Sequence, residues 1–349
     1  ENLETISIPK GVTEIGNSAF GGCDRLSSIV IPSGVKRIRQ CLFSGCEQLK
    51  TIVLPEGIEE IETSAFANCE NLTDITIPES VTDIGWSAFE RCKSLKKIVI
   101  PKGVTRIETD LFYECIGLEE VILPEGINYI EQSAFYGCKK LKKIEIPKMV
   151  ETIDNLAFCD CESLEKIVIP AATTLIGAGA FQRCSSLKEI IIPSNVYLLG
   201  ACAFSGCSNL NKIIIPKSVT IIGGNCFANC NNLTIYCEEN SYAHTYADKE
   251  NIPYIIINGT TKNVVNVCVT AIDKSTNKEV PVPNAEVYLY VGEEERGYYT
   301  TDSEGYIEIP LDHLTEKEIQ KATVSAKKIV SRGKAINGTA RDELFEHFP

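Results

Sequence analysis

The 349-residue sequence holds a single Trp, a single Met and three His, and it has no run of 18 consecutive apolar residues. Without such a run, no segment can cross a bilayer as a helix. Positive charge is also short. Against 47 Asp and Glu stand 34 Lys and Arg, a net charge of -13, which argues against nucleic acid or anionic lipid, both of which are gripped through an excess of Lys and Arg. The three histidines, His244, His313 and His347, lie far apart with no partner that suggests a nucleophile or a dyad, so no catalytic residue is assigned and no enzyme is expected. No Cys-x-x-Cys pair occurs, and Cys159-x-Cys161 is a lone odd spacing. A metal centre or other cofactor is therefore not expected. The chain begins with neither Met nor an apolar signal core, and Glu1 falls inside a repeat, so it reads as a piece of something longer.

What is present is a repeat. Proline recurs every 23 residues from Pro9 to Pro216, Phe from Phe20 to Phe227, Cys from Cys23 to Cys230 and Leu from Leu3 to Leu233. Ten copies of LxxIxIPxxVxxIGxxAFxxCxx run without insertion or deletion. Within one copy, Leu26, Ile29 and Ile31 have the alternation of a short strand of about four to six residues, which Pro32 and Gly34 end in a turn. Val35 and Ile38 form a second extended contact, and the Ala-Phe pair sits in a helical or 3₁₀ turn. One such copy cannot bury enough apolar surface to stand alone. Stacking on its neighbours must supply the rest, which predicts a solenoid of ten coils, roughly 48 Å long at about 4.8 Å per coil, with a parallel sheet along one side.

The pattern resembles the BspA-like branch of the leucine-rich repeats over residues 1 to 237. The resemblance implies a secreted or surface protein of anaerobic or host-associated bacteria or some protozoa. From Asn232 the phase breaks, and residues 238–257 read as a terminal cap with a helix from about Tyr242 to Lys249 and an extended segment after Pro253. Asn258 and Gly259 mark a linker. Residues 258–349 turn to period-two alternation at Val265, Val267, Val269 and Ala271, and again at Val287, Leu289 and Val291, which predicts a small C-terminal β-sandwich. The runs EVPVPNAEVYLYV and TTDSEGYIEIP, with an acidic loop at Glu293 to Glu295 between them, resemble transthyretin-like or carboxypeptidase-regulatory-like Ig modules. Pilus-type Ig modules with an isopeptide bond share the turn. Thr339, Asp342 and Glu343, with Leu344, Phe345 and Phe348 on one face, suggest a closing helix or the start of a truncated module.

Sixteen Cys in a secreted chain would ordinarily read as disulfides. Here ten occupy one repeat position beside the Phe column, so buried, reduced thiols are expected at all ten. The carboxylates Glu62, Glu108, Glu131 and Asp154 share another column, as solvent-facing positions do. The sheet face carries the better functional signal. Between the inward residues of each strand stand Ser7, Val30, Val53, Thr76, Val99, Ile122, Glu145, Val168, Ile191 and Ile214, a nearly continuous apolar ridge. Beside it runs a mixed-charge column with Lys97, Lys143, Lys166 and Lys212. Exposed apolar strips rimmed by charge mark binding surfaces, although Val and Ile also favour strands for their own sake. Trp86 stands alone among small or polar equivalents, either as a sugar-stacking residue or as a simple exposed aromatic. The expected function is that of a monomeric, extracellular or surface-displayed recognition or adhesion protein binding a host or neighbouring-cell protein or glycan through the sheet face. The alternatives are a passive stalk or the non-catalytic part of a larger secreted enzyme.

Overall fold

The computed structural model describes residues 2–257 and, past them, the backbone of strands lying between residues 264 and 340. The chain divides into two compact units, Glu1–Ile257 and Asn258–Pro349. The first is a parallel β-solenoid whose coils supply strands to two separate rows. First-row strands include Ser28–Val30, Thr51–Val53, Lys97–Val99, Glu120–Ile122 and Glu189–Ile191. Second-row strands are two residues long and run from Arg37–Ile38 to Ile221–Ile222. Both rows pair in parallel at a step of one repeat, as in Ile29 with Ile52 and Ile130 with Ile153.

Strands in the solenoid are two to four residues long, shorter than the alternation predicts, and residues 3–25 form none. Turns at both ends explain this. The Leu that opens each coil is held in a turn, its N–H donating to the carbonyl of the preceding Cys, as from Leu49 to Cys46 at 3.0 Å. At the far end the Pro carbonyl accepts from the Val three residues on, as Pro32 does from Val35 at 3.1 Å. Few residues remain free to pair with a neighbouring coil.

The Ala-Phe segment is neither helix nor 3₁₀ turn. It contains two tight turns, each with its third residue in the left-handed region, such as Ser64 (φ 54°) and Asn68 (φ 60°), Ser87 (φ 53°) and Arg91 (φ 54°), or Ser133 (φ 53°) and Gly137 (φ 71°). Hydrogen bonding accounts for the difference. Alternate N–H groups donate to the next coil, from Ser64 to Trp86 at 2.8 Å, Phe66 to Ala88 at 2.9 Å and Asn68 to Glu90 at 2.7 Å, while those between close local turns, from Ala65 to Glu62 and Ala67 to Ser64. A helix would turn every donor onto its own chain and unstitch the stack. The left-handed backbone costs a residue with a Cβ about 1 to 2 kcal/mol, and the inter-coil bonds outweigh it.

Two ladders fill the interior. The Phe rings from Phe20 to Phe227 stack face to face with centroids 5.1 to 5.9 Å apart. Beside them every ladder thiol after Cys23 donates to the carbonyl of the Phe in the preceding coil, from Cys46 to Phe20 at 3.1 Å through Cys115 to Phe89 at 3.0 Å to Cys230 to Phe204 at 3.1 Å. That carbonyl already accepts the N–H of its own coil's Cys, as Phe43 does from Cys46 at 3.0 Å, so the thiol satisfies its second lone pair. Cysteine thus combines a small apolar body with a weak donor. The eight interior thiols from Cys46 to Cys207 are buried; Cys23 and Cys230, at the two ends, are only half-buried, which corrects the expectation for all ten. The fifteen described cysteines are all free.

At the C-terminal end the step shrinks by one, so that Thr234–Cys237 pairs Lys212 with Thr234. Helix α1 (Tyr242–Glu250) follows, its N-terminus capped by Ser241, whose hydroxyl accepts from the His244 N–H. Tyr246 stands edge-on to Phe227, with centroids 5.9 Å apart, and closes the aromatic column. His244 is taken up in this cap, accepting from the Asn240 N–H at 3.1 Å. The strand Tyr254–Ile256 then adds to the first row beside Thr234–Cys237.

In the second unit the described strands are antiparallel. Val264–Cys268 pairs with Tyr306–Pro310, Thr270–Asp273 with Lys278–Pro281, and Glu286–Val291 lies between Glu294–Thr300 and Ala322–Lys328, beyond which lies Ile336–Ala340. Glu294 and Glu295 belong to a strand rather than to a loop, and Thr339 lies within Ile336–Ala340 rather than at a helix start. The turn at Thr301 and Asp302, the segment after Ala340 and the side chains on which an Ig-like β-sandwich depends lie outside the described residues.

Candidate binding face

Alternation along each first-row strand sends its middle residue inward and its two flanks outward, as Thr51 and Val53 flank buried Ile52. Parallel pairing then lines up equivalent residues, placing Val30 beside Val53, Val99 beside Ile122 and Ile191 beside Ile214. Val30, Val53, Val99, Ile122, Val168 and Ile191 are all exposed, Val168 and Val30 the most at 68% and 66%. Ile214 is half-buried, and its neighbour in the ladder is Tyr236.

The ridge is less continuous than its sequence column. The hydrogen-bonded first row consists of three blocks, which start at Ser28, Lys97 and Glu189. Thr76 stands at the first gap and Glu145 at the second, where a lone bridge between Lys143 and Lys166 is the only pairing. The last block reaches farther than the repeat suggests, since Tyr236 and Ile255 continue the row. Ile255 is 46% exposed.

Lys97, Lys143 and Lys166 are exposed in the adjoining column, and Lys212 is half-buried with its ammonium 5.5 Å from the centre of the Tyr236 ring. Lys97 closes on Glu120 at 2.9 Å. Trp86 is 60% exposed but follows the second-row strand Asp83–Ile84, so the fold does not bring it to the ridge. The acidic column also departs from expectation. Glu62, Glu108, Glu131 and Asp154 are half-buried. Glu62 accepts from the Gln40 N–H at 2.9 Å and pairs with Arg39, while Arg106 holds Glu131 at 3.2 Å. Burial pushes the Glu131 carboxyl above its ordinary range, partly offset by Arg106. Glu62 thus ties its own coil to the one before it through a backbone N–H, and Glu108 and Glu131 flank Arg106. Among the described residues no cluster of three or more His, Cys, Asp or Glu could hold a metal ion.

The BspA type leucine rich repeat region matches in six copies over residues 1–119 and 105–234. Among solved structures, a leucine-rich repeat protein from Bacteroides ovatus is 34% identical over 66% of this chain and 62% of its own, with a TM-score of 0.62. A leucine rich cell surface protein from Faecalibacterium prausnitzii is 28% identical over 68% of this chain and 82% of its own, with a TM-score of 0.43. The leucine rich repeat protein of T. pallidum is 35% identical over 44% of this chain and 72% of its own, with a TM-score of 0.41. The chain thus spans 62% of the length of the Bacteroides protein. No curated protein matches. Ten in-phase coils, the two strand rows and the family match over residues 1–234 agree, and the chain belongs to the BspA-type leucine-rich repeat family.

Proposed function

We propose that this protein is a non-enzymatic recognition or adhesion protein, secreted or displayed at the cell surface, which binds a protein or glycan through its first-row sheet. One observation carries the reading: six large aliphatic side chains stand exposed along that sheet, beside a column of charge. Strand preference alone would favour Val and Ile, but burial would be their usual fate. A row of exposed ones, rimmed by Lys and Glu, has the composition of an interface.

Replacing Ile122 and Val168 together by Lys tests it. Both side chains point outward, so stability should fall by no more than about 1 kcal/mol per site. Losing interface anchors weakens binding by about 2 kcal/mol or more. Melting temperature and retention on immobilised extracellular matrix or mucin, measured side by side, separate the two effects. Retention equal to that of the parent chain would remove the ridge from the function.

A further inference from the structure

The first-row face is not uniform in charge. Its first three coils carry Glu4, Lys50 and no other charged residue in the outward columns, and in the middle Lys97 is neutralised by Glu120 at 2.9 Å. The last coils present Lys142, Lys143, Lys166, Lys188 and Lys212 against Glu145, Glu165 and Glu189. In a molecule of net charge -13 this is a cationic strip. Among the described residues none of these five lysines forms an ion pair, whereas Lys93 and Lys139 in other columns do. Lys143 and Lys166 are directly bridged ladder neighbours, at a strand spacing of about 4.8 Å. Like charges directly opposite one another weaken a sheet, and the first row is reduced to that one bridge here. The same strip holds the longest apolar run: Val168 in the repeat position before the block, then Ile191, Ile214, Tyr236 and Ile255 paired along it.

We propose that this strip, from coil 7 to the cap, binds an acidic polypeptide segment in extended conformation. The inference rests on the reading above and narrows its partner class. The lysine column and the apolar ridge lie two residues apart on each strand, about 6.6 Å, so a backbone running between them sends alternate side chains to either side. Apolar residues then cover the ridge from Val168 to Ile255, and carboxylates neutralise Lys143, Lys166 and Lys212. The ridge covers five strand positions, about 19 Å, which matches roughly six extended residues at about 3.3 Å each. Glu189, between Lys166 and Lys212, disfavours an acidic residue opposite it and so helps to fix the register. A sulfated glycan fits less well. Its apolar surface is small, the ridge is mostly aliphatic, and Glu145, Glu165 and Glu189 repel closely spaced sulfates.

The test uses the full chain and a fluorescein-labelled eight-residue peptide alternating Asp or Glu with Val or Leu, read by fluorescence anisotropy. Binding is expected, and it should weaken when salt rises from about 50 to about 500 mM. Substituting Lys143→Glu and Lys166→Glu together should weaken it at least tenfold, as should Val168→Ser with Ile191→Ser. Lys50→Glu, on the same face in coil 3, should leave it unchanged. Circular dichroism confirms that each variant folds. Equal binding by a peptide with Lys in place of the acids, indifference to the Lys143 and Lys166 reversals, or heparin binding in place of the acidic peptide would each overturn the proposal. Failure of the acidic peptide alongside lost matrix retention in the Ile122→Lys, Val168→Lys variant overturns this inference and leaves the broader reading intact.

Discussion

Raising the pH from 8 to 11 is expected to unfold the solenoid. The eight interior ladder thiols are fully buried, and burial pushes them up, Cys46 and Cys115 to about 12 and Cys69, Cys92, Cys138, Cys161 and Cys184 well above their ordinary range. In the unfolded chain a thiol ionises near pH 8.5. The folded state therefore holds protons that the unfolded state has released. The stability they contribute is complete below about pH 8.5 and is lost as pH rises toward 12, at about 1.4 kcal/mol per thiol per pH unit. Eight thiols together amount to a loss on the order of 10 kcal/mol per pH unit, as large as the whole stability of many domains. Urea midpoints taken under reducing conditions at pH 7, 8.5, 9.5 and 10.5 should fall steeply beyond pH 9. Substituting four interior ladder cysteines by Ala should lower the midpoint at pH 7 yet make the alkaline fall about half as steep. A midpoint flat to pH 11 would mean that the thiols are not buried as a column.

The second large effect comes from the aromatic stack. Phe135 is fully buried and lies 5.4 Å from Phe112 and 5.1 Å from Phe158. Phe135→Ala opens a cavity in the middle of a column that cannot collapse without shortening the inter-coil bonds on both sides. A loss of about 3 to 5 kcal/mol is expected. For a unit of this size that corresponds to a fall in melting temperature of roughly 6 to 20 °C. Phe20, at the end of the stack, has a ring neighbour on one side only and is slightly exposed; Phe20→Ala should cost clearly less. Scanning calorimetry of both variants checks this, and equal losses would show that the stack does not act as a chain of nearest neighbours.

Much of this architecture is legible in the sequence because the repeat has no insertion. Fixed positions of Leu, Ile, Phe and Cys become columns once the coils stack, and the buried set follows directly. Strand length is less legible: Pro marks the turn that ends each strand, but that the Leu opening it is held in a second turn by the preceding Cys carbonyl shows only in the hydrogen bonds. Nor are the left-handed positions: Ser18, Cys41, Asp110 and Leu156 share one conformation without sharing chemistry, since inter-coil bonding imposes it. Tyr236 and Ile255 escaped the ridge because the step falls to 22 at the cap and helix α1 then intervenes. Trp86 stands out in the sequence by its rarity, but rarity does not tell which row a residue follows, and Trp86 follows the second.

A photo-crosslinking amino acid placed singly at Val99, Val168, Trp86 and Ile221 tests whether the first-row face is the recognition surface. All four sites are exposed, two on the first row and two on or beside the second. With the protein held on the matrix or mucin that retains it, covalent capture is expected from Val99 and Val168 and none from Trp86 or Ile221. Capture from the second-row sites alone would contradict it.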